Sequence, residues 1–106
     1  MEFIETSLFT RQIDGILSSE EYMEFQGELM TNPDKGAVIP RSGGLRKVRV
    51  GLEGRGKRGG ARVIYYWITK ADCIYLLLAY PKNVQDNLSE DQLKTLRKIV
   101  KEMDNG

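Results

Sequence analysis

Residues 45–69 read LRKVRVGLEGRGKRGGARVIYYWIT. The stretch is a short alternating strand, a loop of glycines and cations, and a strand dense in β-branched and aromatic residues. Between Arg41 and Arg62 lie eight cations (Arg41, Arg46, Lys47, Arg49, Arg55, Lys57, Arg58 and Arg62) against the single acid Glu53. Charges so crowded repel one another unless an anion sits among them. Strand alternation puts Leu45, Lys47 and Arg49 on one side and Arg46, Val48 and Val50 on the other. It also gives Arg62, Ile64, Tyr66 and Ile68 one face and Val63, Tyr65 and Trp67 the opposite one. Lys70-Ala71-Asp72 reads as a hairpin turn, and Cys73 to Tyr80 as a nearly continuous apolar strand, expected to be central. Three consecutive strands joined this way make an antiparallel meander.

Working outward, Glu2 to Thr6 reads as a short first strand. Thr6 or Ser7 caps a helix carrying Phe9, Ile13, Ile16 and Leu17 at the 3.6 period. Ser18 and Glu21 have capping-box spacing and start a second helix, with Tyr22, Phe25, Leu29 and Met30 on one face and Glu20, Glu24 and Glu28 on another. That acidic row is read as a solvated face, with an electrostatic counterweight or a partner site as the alternative. Asn32-Pro33 ends the helix. In the loop that follows, Ala37 to Ile39 form at most a brief extended piece. After a loop from Pro81 to Leu88, Ser89 caps a last helix with Gln92 at the box position. Leu93, Leu96, Val100 and Met103 form its apolar stripe, and Lys94, Arg97, Lys98 and Lys101 a cationic one. The expected fold is a small single α+β domain over residues 1–106. It has an antiparallel sheet in the order β-α-α-β-β-β-α, flanked by helices.

The net charge of +1 conceals segregation. Residues 1–34 carry −7, residues 35–82 carry +9 and residues 83–106 carry −1. Such separation steers a phosphate-rich partner onto one face. No apolar run approaches the roughly 20 residues of a transmembrane helix. The acidic N-terminus lacks the basic start of a signal peptide, so a cytoplasmic location is expected. The one cysteine, Cys73, sits in an apolar strand and reads as packing.

Two patterns in the loop fail on physical grounds. Gly54-x-Gly56-x-x-Gly59 matches dinucleotide-binding spacing, and Gly51 to Lys57 matches the start of a P-loop. Both need a helix to follow, and here a strand follows; Arg58 also stands where a P-loop needs Ser or Thr. What remains is a glycine-rich cationic loop suited to phosphate contacts. With no histidine and one cysteine, no metal site or cofactor is expected, and Ser/His/Asp or Cys/His schemes are excluded. Proton transfer must then fall to Lys, Arg, Tyr or Asp/Glu. RNA cleavage suits such a set, because the 2′-hydroxyl attacks the adjacent phosphate. A lysine depressed by neighbouring cations serves as base, with Lys47, Lys57 and Lys82 as candidates, and arginines stabilise the phosphorane.

GGLRKVRV…GRGKRGGARVIYYW, followed by YLLLAYPKN and the helix NLSEDQLKTLRKI, resembles the RelE superfamily of toxins, in its HigB-like branch. The resemblance extends over nearly the whole chain. It implies an antiparallel sheet flanked by helices and ribosome-dependent cleavage of mRNA in the A site. It also implies contact with ribosomal RNA and inhibition by a HigA-like antitoxin bearing a helix-turn-helix DNA-binding domain. Matched by order along the chain, the catalytic cations are Lys47, Arg49, Arg62 and Lys82. The RNA- or ribosome-binding set is Arg46, Arg55, Lys57, Arg58, Tyr66, Tyr80 and Asn83. The family's C-terminal stacking tyrosine has no match here, and Tyr80 and Tyr66 are the substitutes. Two other readings use the same basic face: a non-catalytic RNA- or ribosome-binding module, and a surface whose cations only pair with an acidic protein.

Overall fold

The computed structural model describes residues 1–51 and 60–105. The chain runs β1 (Glu2–Glu5), α1 (Ser7–Asp14), α2 (Ser19–Thr31), β2 (Ala37–Val38), β3 (Arg46–Val50), β4 (Ala61–Ile68), β5 (Cys73–Pro81) and α3 (Glu90–Asn105). The sheet order is β1-β5-β4-β3-β2. β2 through β5 pair antiparallel in sequence order, so the meander is present, with the extended piece at 37–38 added as an edge strand. The expected antiparallel sheet is corrected in one respect. β1 lies parallel to β5, with Glu2 opposite Cys73 and Glu5 opposite Leu76, which makes the sheet mixed. Alternation along a strand is the same whichever way its neighbour runs, so the sequence carries no sign of direction here.

Local signals set the helix starts. The Thr6 side chain accepts from the Phe9 amide, and Ser18 and Glu21 close a full capping box. Ser89 and Gln92 exchange the same pair of bonds at 3.1 and 3.0 Å. β1 is too short to cover all of β5. Beyond it the Thr6 hydroxyl donates to Leu77 O at 3.0 Å, and Gln12 Oε1 accepts from the Ala79 amide at 2.9 Å. Side chains of the α1 region thus satisfy the edge where the strand ends.

The sheet has a helix layer on each face. Phe9, Ile13, Leu17, Phe25 and Leu29 from α1, α2 and their link pack on Val48, Val63, Tyr65, Ile74, Leu76 and Ala79. On the other face Leu96 and Val100 of α3 pack on Leu45, Ile64, Leu77, Leu78 and Tyr80. Met30, expected on the buried stripe of α2, is exposed. Between β4 and β5 the register jumps, with Ile64 opposite Leu78 but Tyr65 opposite Leu76. Leu77 is the extra residue of a β-bulge, and Leu77 and Leu78 both join the α3 core. Downstream of it the alternation of β5 is inverted. Tyr80 therefore shares the α3 face with Tyr75, although they are an odd number of residues apart.

Candidate functional site

Residues opposite one another in an antiparallel pair share a face with Cβ atoms about 5 Å apart. Arg49 is opposite Arg62, and Arg62 is opposite Tyr80. The three form a row across β3, β4 and β5 on the α3 side of the sheet. One step along, Lys47 is opposite Ile64. Lys47, Arg49 and Arg62 are thus brought together as alternation predicts, and the bulge adds Tyr80. Two arginines directly opposite are mutually repulsive, a repulsion that a neighbouring anion offsets.

Arg62 is only 2% exposed, the one charged residue buried to that degree among the described residues. Its Nη2 donates to Asp86 Oδ1 at 3.1 Å, and Nη1 has a long 3.5 Å contact with Ala61 O. Among the described residues its buried Nε has no hydrogen-bond partner. Lys47 Nζ donates to Asn87 Oδ1 at 2.8 Å, and the Tyr80 hydroxyl to Asp86 O at 3.3 Å. Burial pushes the Tyr80 phenol above its ordinary pKa, against the opposing pull of the Arg62 cation and with a smaller upward push from Asp86. Residues 82–89 therefore form a strap across the basic row. Asp86 and Asn87 are neighbours of the basic row that sequence reasoning did not name. The available signal was that Asp86 is the one acid between Asp72 and Glu90.

The remaining candidates are distributed more widely. Lys82 and Asn83 are exposed just past β5, where the Lys82 amide donates to Gly60 O at 2.9 Å. Tyr66 is half-buried beside the α3 core. Arg46 faces the other way, as alternation requires, and its Nη1 donates to Gly36 O at 2.7 Å and Asp34 O at 3.3 Å. It braces the 34–36 loop and does not join the row. Arg55, Lys57 and Arg58 lie outside the described residues. Arg49 is exposed at the free end of β3 and also borders a cavity of about 280 Å³ lined by Glu21, Glu24, Glu28 and Lys35. Glu20, Glu24 and Glu28 are all exposed, as on a solvated face, with Lys35 paired to the last of them. Cys73 is buried and free, and burial raises its thiol pKa, with Glu2 and Asp72 adding to the effect. It packs as an apolar residue.

A row of guanidinium, ammonium and phenol groups thus stands on the α3 side of the sheet. Residues 34–105, more than half of the chain, match the family described as the RelE toxin of the RelE/RelB toxin–antitoxin system. The chain belongs to the RelE toxin family. It is a small α+β protein of that fold and a toxin of a toxin–antitoxin system, which implies an antitoxin partner. The matched region spans β2 to α3 and so contains the whole basic row and its strap. Among the described residues no helix is long and apolar enough to cross a membrane.

Proposed function

We propose that this RelE-family toxin is an endoribonuclease that cleaves mRNA on the ribosome without a metal, from the HigB-like branch and held in check by a HigA-like antitoxin. The observation that carries the proposal is the Arg49–Arg62–Tyr80 row with Lys47 one step away. These groups suit cleavage by the substrate's own 2′-hydroxyl. Lys47, acting through its unprotonated amine, accepts the hydroxyl proton, the 2′-oxygen bonds to phosphorus as the phosphorus–5′-oxygen bond breaks, and the 5′-oxygen leaves with a proton from a neighbouring ammonium. The products are a 2′,3′-cyclic phosphate and a 5′-hydroxyl. Arg62 and Arg49 hold the charge that builds on the phosphorane oxygens, where fixed donors act most strongly. Tyr80 lies beside them, and Lys82 stands at the rim as donor to the leaving oxygen or to the backbone. Ribosomal RNA engages the surrounding cations, and the site of action is the cytoplasm, where translation occurs.

Arg62→Lys tests the chemistry, because it keeps the charge but loses the planar fork. Cleavage in a translating extract is expected to fall about 10²- to 10³-fold, the usual cost of one oxyanion donor, with ribosome binding retained. Intact transcripts during translation with the parent protein would overturn the enzymatic reading. Parallel loss of binding and toxicity in the variant would favour the non-catalytic RNA-binding module.

A further inference from the structure

We propose that Asp86 is a built-in stand-in for the substrate phosphate, holding Arg62 in a closed state until an incoming phosphate displaces it. The inference rests on the site being a phosphate site, as proposed above, but adds a gate to it.

The hydrogen bonding of Arg62 shows the reason. A guanidinium has five N–H donors in a fork shaped for two acceptor oxygens. Buried guanidinium groups ordinarily use that fork fully, because an unpaired buried donor is costly. Here Asp86 engages Nη2 alone through one oxygen, while among the described residues Nε is buried and unpartnered. A carboxylate serving only to stabilise Arg62 would be expected to engage the fork with both oxygens. The observed contact is one that a tetrahedral anion can improve upon, since it offers acceptors in several directions.

The strap is built to yield. Asp86 is 59% exposed while Arg62 is buried, so releasing the pair returns the carboxylate to water and leaves the cation in place. Asn87 does to Lys47 what Asp86 does to Arg62, offering a side-chain oxygen where a phosphate oxygen would sit. The other polar ties of the segment run elsewhere. Gln85 Nε2 bonds Asn87 O and Gln92 Oε1, and Lys82 N bonds Gly60 O. Among the described residues, the strap's hydrogen bonds to the basic row run through Asp86 and Asn87, while Leu88 packs against the α3-side core that includes Tyr80. Lifting these two residues opens Arg62, Lys47 and Tyr80 together, and the anchors at each end remain. The same contact also offsets the Arg49–Arg62 repulsion in the empty protein, which would otherwise weigh against folding.

The test uses the full chain and two probes, inorganic phosphate and a 2′-O-methylated RNA oligonucleotide that cannot be cleaved. Asp86→Asn is expected to bind both about tenfold tighter, the size of one charge-assisted contact. Its log–log salt slope for the oligonucleotide should stay close to the parent's, because the same phosphate meets Arg62 once Asp86 has left. Glu90→Gln, which removes a nearby exposed charge, should change affinity less than about twofold, and Asp86→Glu should restore parental binding. The Arg62 Nε–H resonance should shift at lower phosphate concentration in Asp86→Asn than in the parent. Unchanged or weaker binding by folded Asp86→Asn, or an equal gain in Glu90→Gln, overturns the gate. Cleavage in a translating extract reports separately on the enzyme. If cleavage is seen and Asp86→Asn binds as the parent does, the gate alone fails. If cleavage is absent while phosphate binding depends on Asp86, the enzymatic reading alone fails.

Discussion

Arg62 sits between Arg49 and Tyr80, buried and paired with the exposed Asp86. Burial likewise governs the tyrosines. The phenols of Tyr22, Tyr65 and Tyr80 all lie above their ordinary pKa, with desolvation as the first cause. For Tyr22 the hydrogen bond to Glu5 adds to the rise; for Tyr65 the Gly36 amide and the Arg46 cation oppose it. Each folded phenol therefore holds its proton more tightly than in the unfolded chain, where release occurs near about pH 10. The stability these groups contribute is complete below that pH and is lost as pH rises through the raised folded values. The urea midpoint should accordingly fall as pH is raised above about 10, and Tyr65→Phe should flatten part of the decline. A midpoint indifferent to pH across that range would contradict this account. At this scale the face shared by Lys47, Arg49 and Arg62 was legible from alternation alone. The roles of Asp86 and Asn87 were not, because a loop acid carries no periodic signal and gains meaning only from what it touches.

Among the elements, the link between α2 and β3 depends on one residue without a side chain. The Gly36 amide donates to the Tyr65 hydroxyl at 2.9 Å, and that hydroxyl donates to Pro33 O at 2.8 Å. A Cβ at Gly36 would stand 2.9 Å from Tyr65 Cε1 and 3.0 Å from Lys47 O. The carbonyl cannot yield without disturbing the strand that carries Lys47. Gly36→Ala is therefore expected to destabilise the protein by about 1–3 kcal/mol, measured by chemical denaturation. A neutral or stabilising result would show that the loop is free to move aside. The bulge at Leu77 is the other decisive local feature. Read by strict alternation, Tyr75 and Tyr80 belong to opposite faces, and the extra residue brings both to the α3 side. Sequence reasoning named Tyr80 from the family resemblance, but its geometric place beside Arg62 depends on a register shift that an apolar run does not announce.

Across the molecule, the first and the last strands in sequence are neighbours. Thr6 N donates to Leu76 O at 3.1 Å just past the β1–β5 ladder, and the core on the α1–α2 side draws on residues from Phe9 to Ala79. We propose on this ground that residues 1–106 unfold as one unit. Near- and far-ultraviolet circular dichroism should then report coincident thermal transitions. A separate early loss of α1 and α2 would overturn the proposal. The charge segregation acquires a layout at this scale: acids of α2 border the exposed end of β3 at Arg49, and the buried cation is held by the strap.

The sequence by itself determined the three meander strands, the three helix caps and the shared face of Lys47, Arg49 and Arg62. These follow from periods of two and 3.6 and from contacts within a few residues. Only the tertiary structure decided that β1 runs parallel to β5, that Leu77 inverts the phase of β5, that Arg46 braces a loop, and that Asp86 covers Arg62. Each of these depends on hydrogen bonds between segments distant in the chain, whose partner and direction local periodicity does not encode.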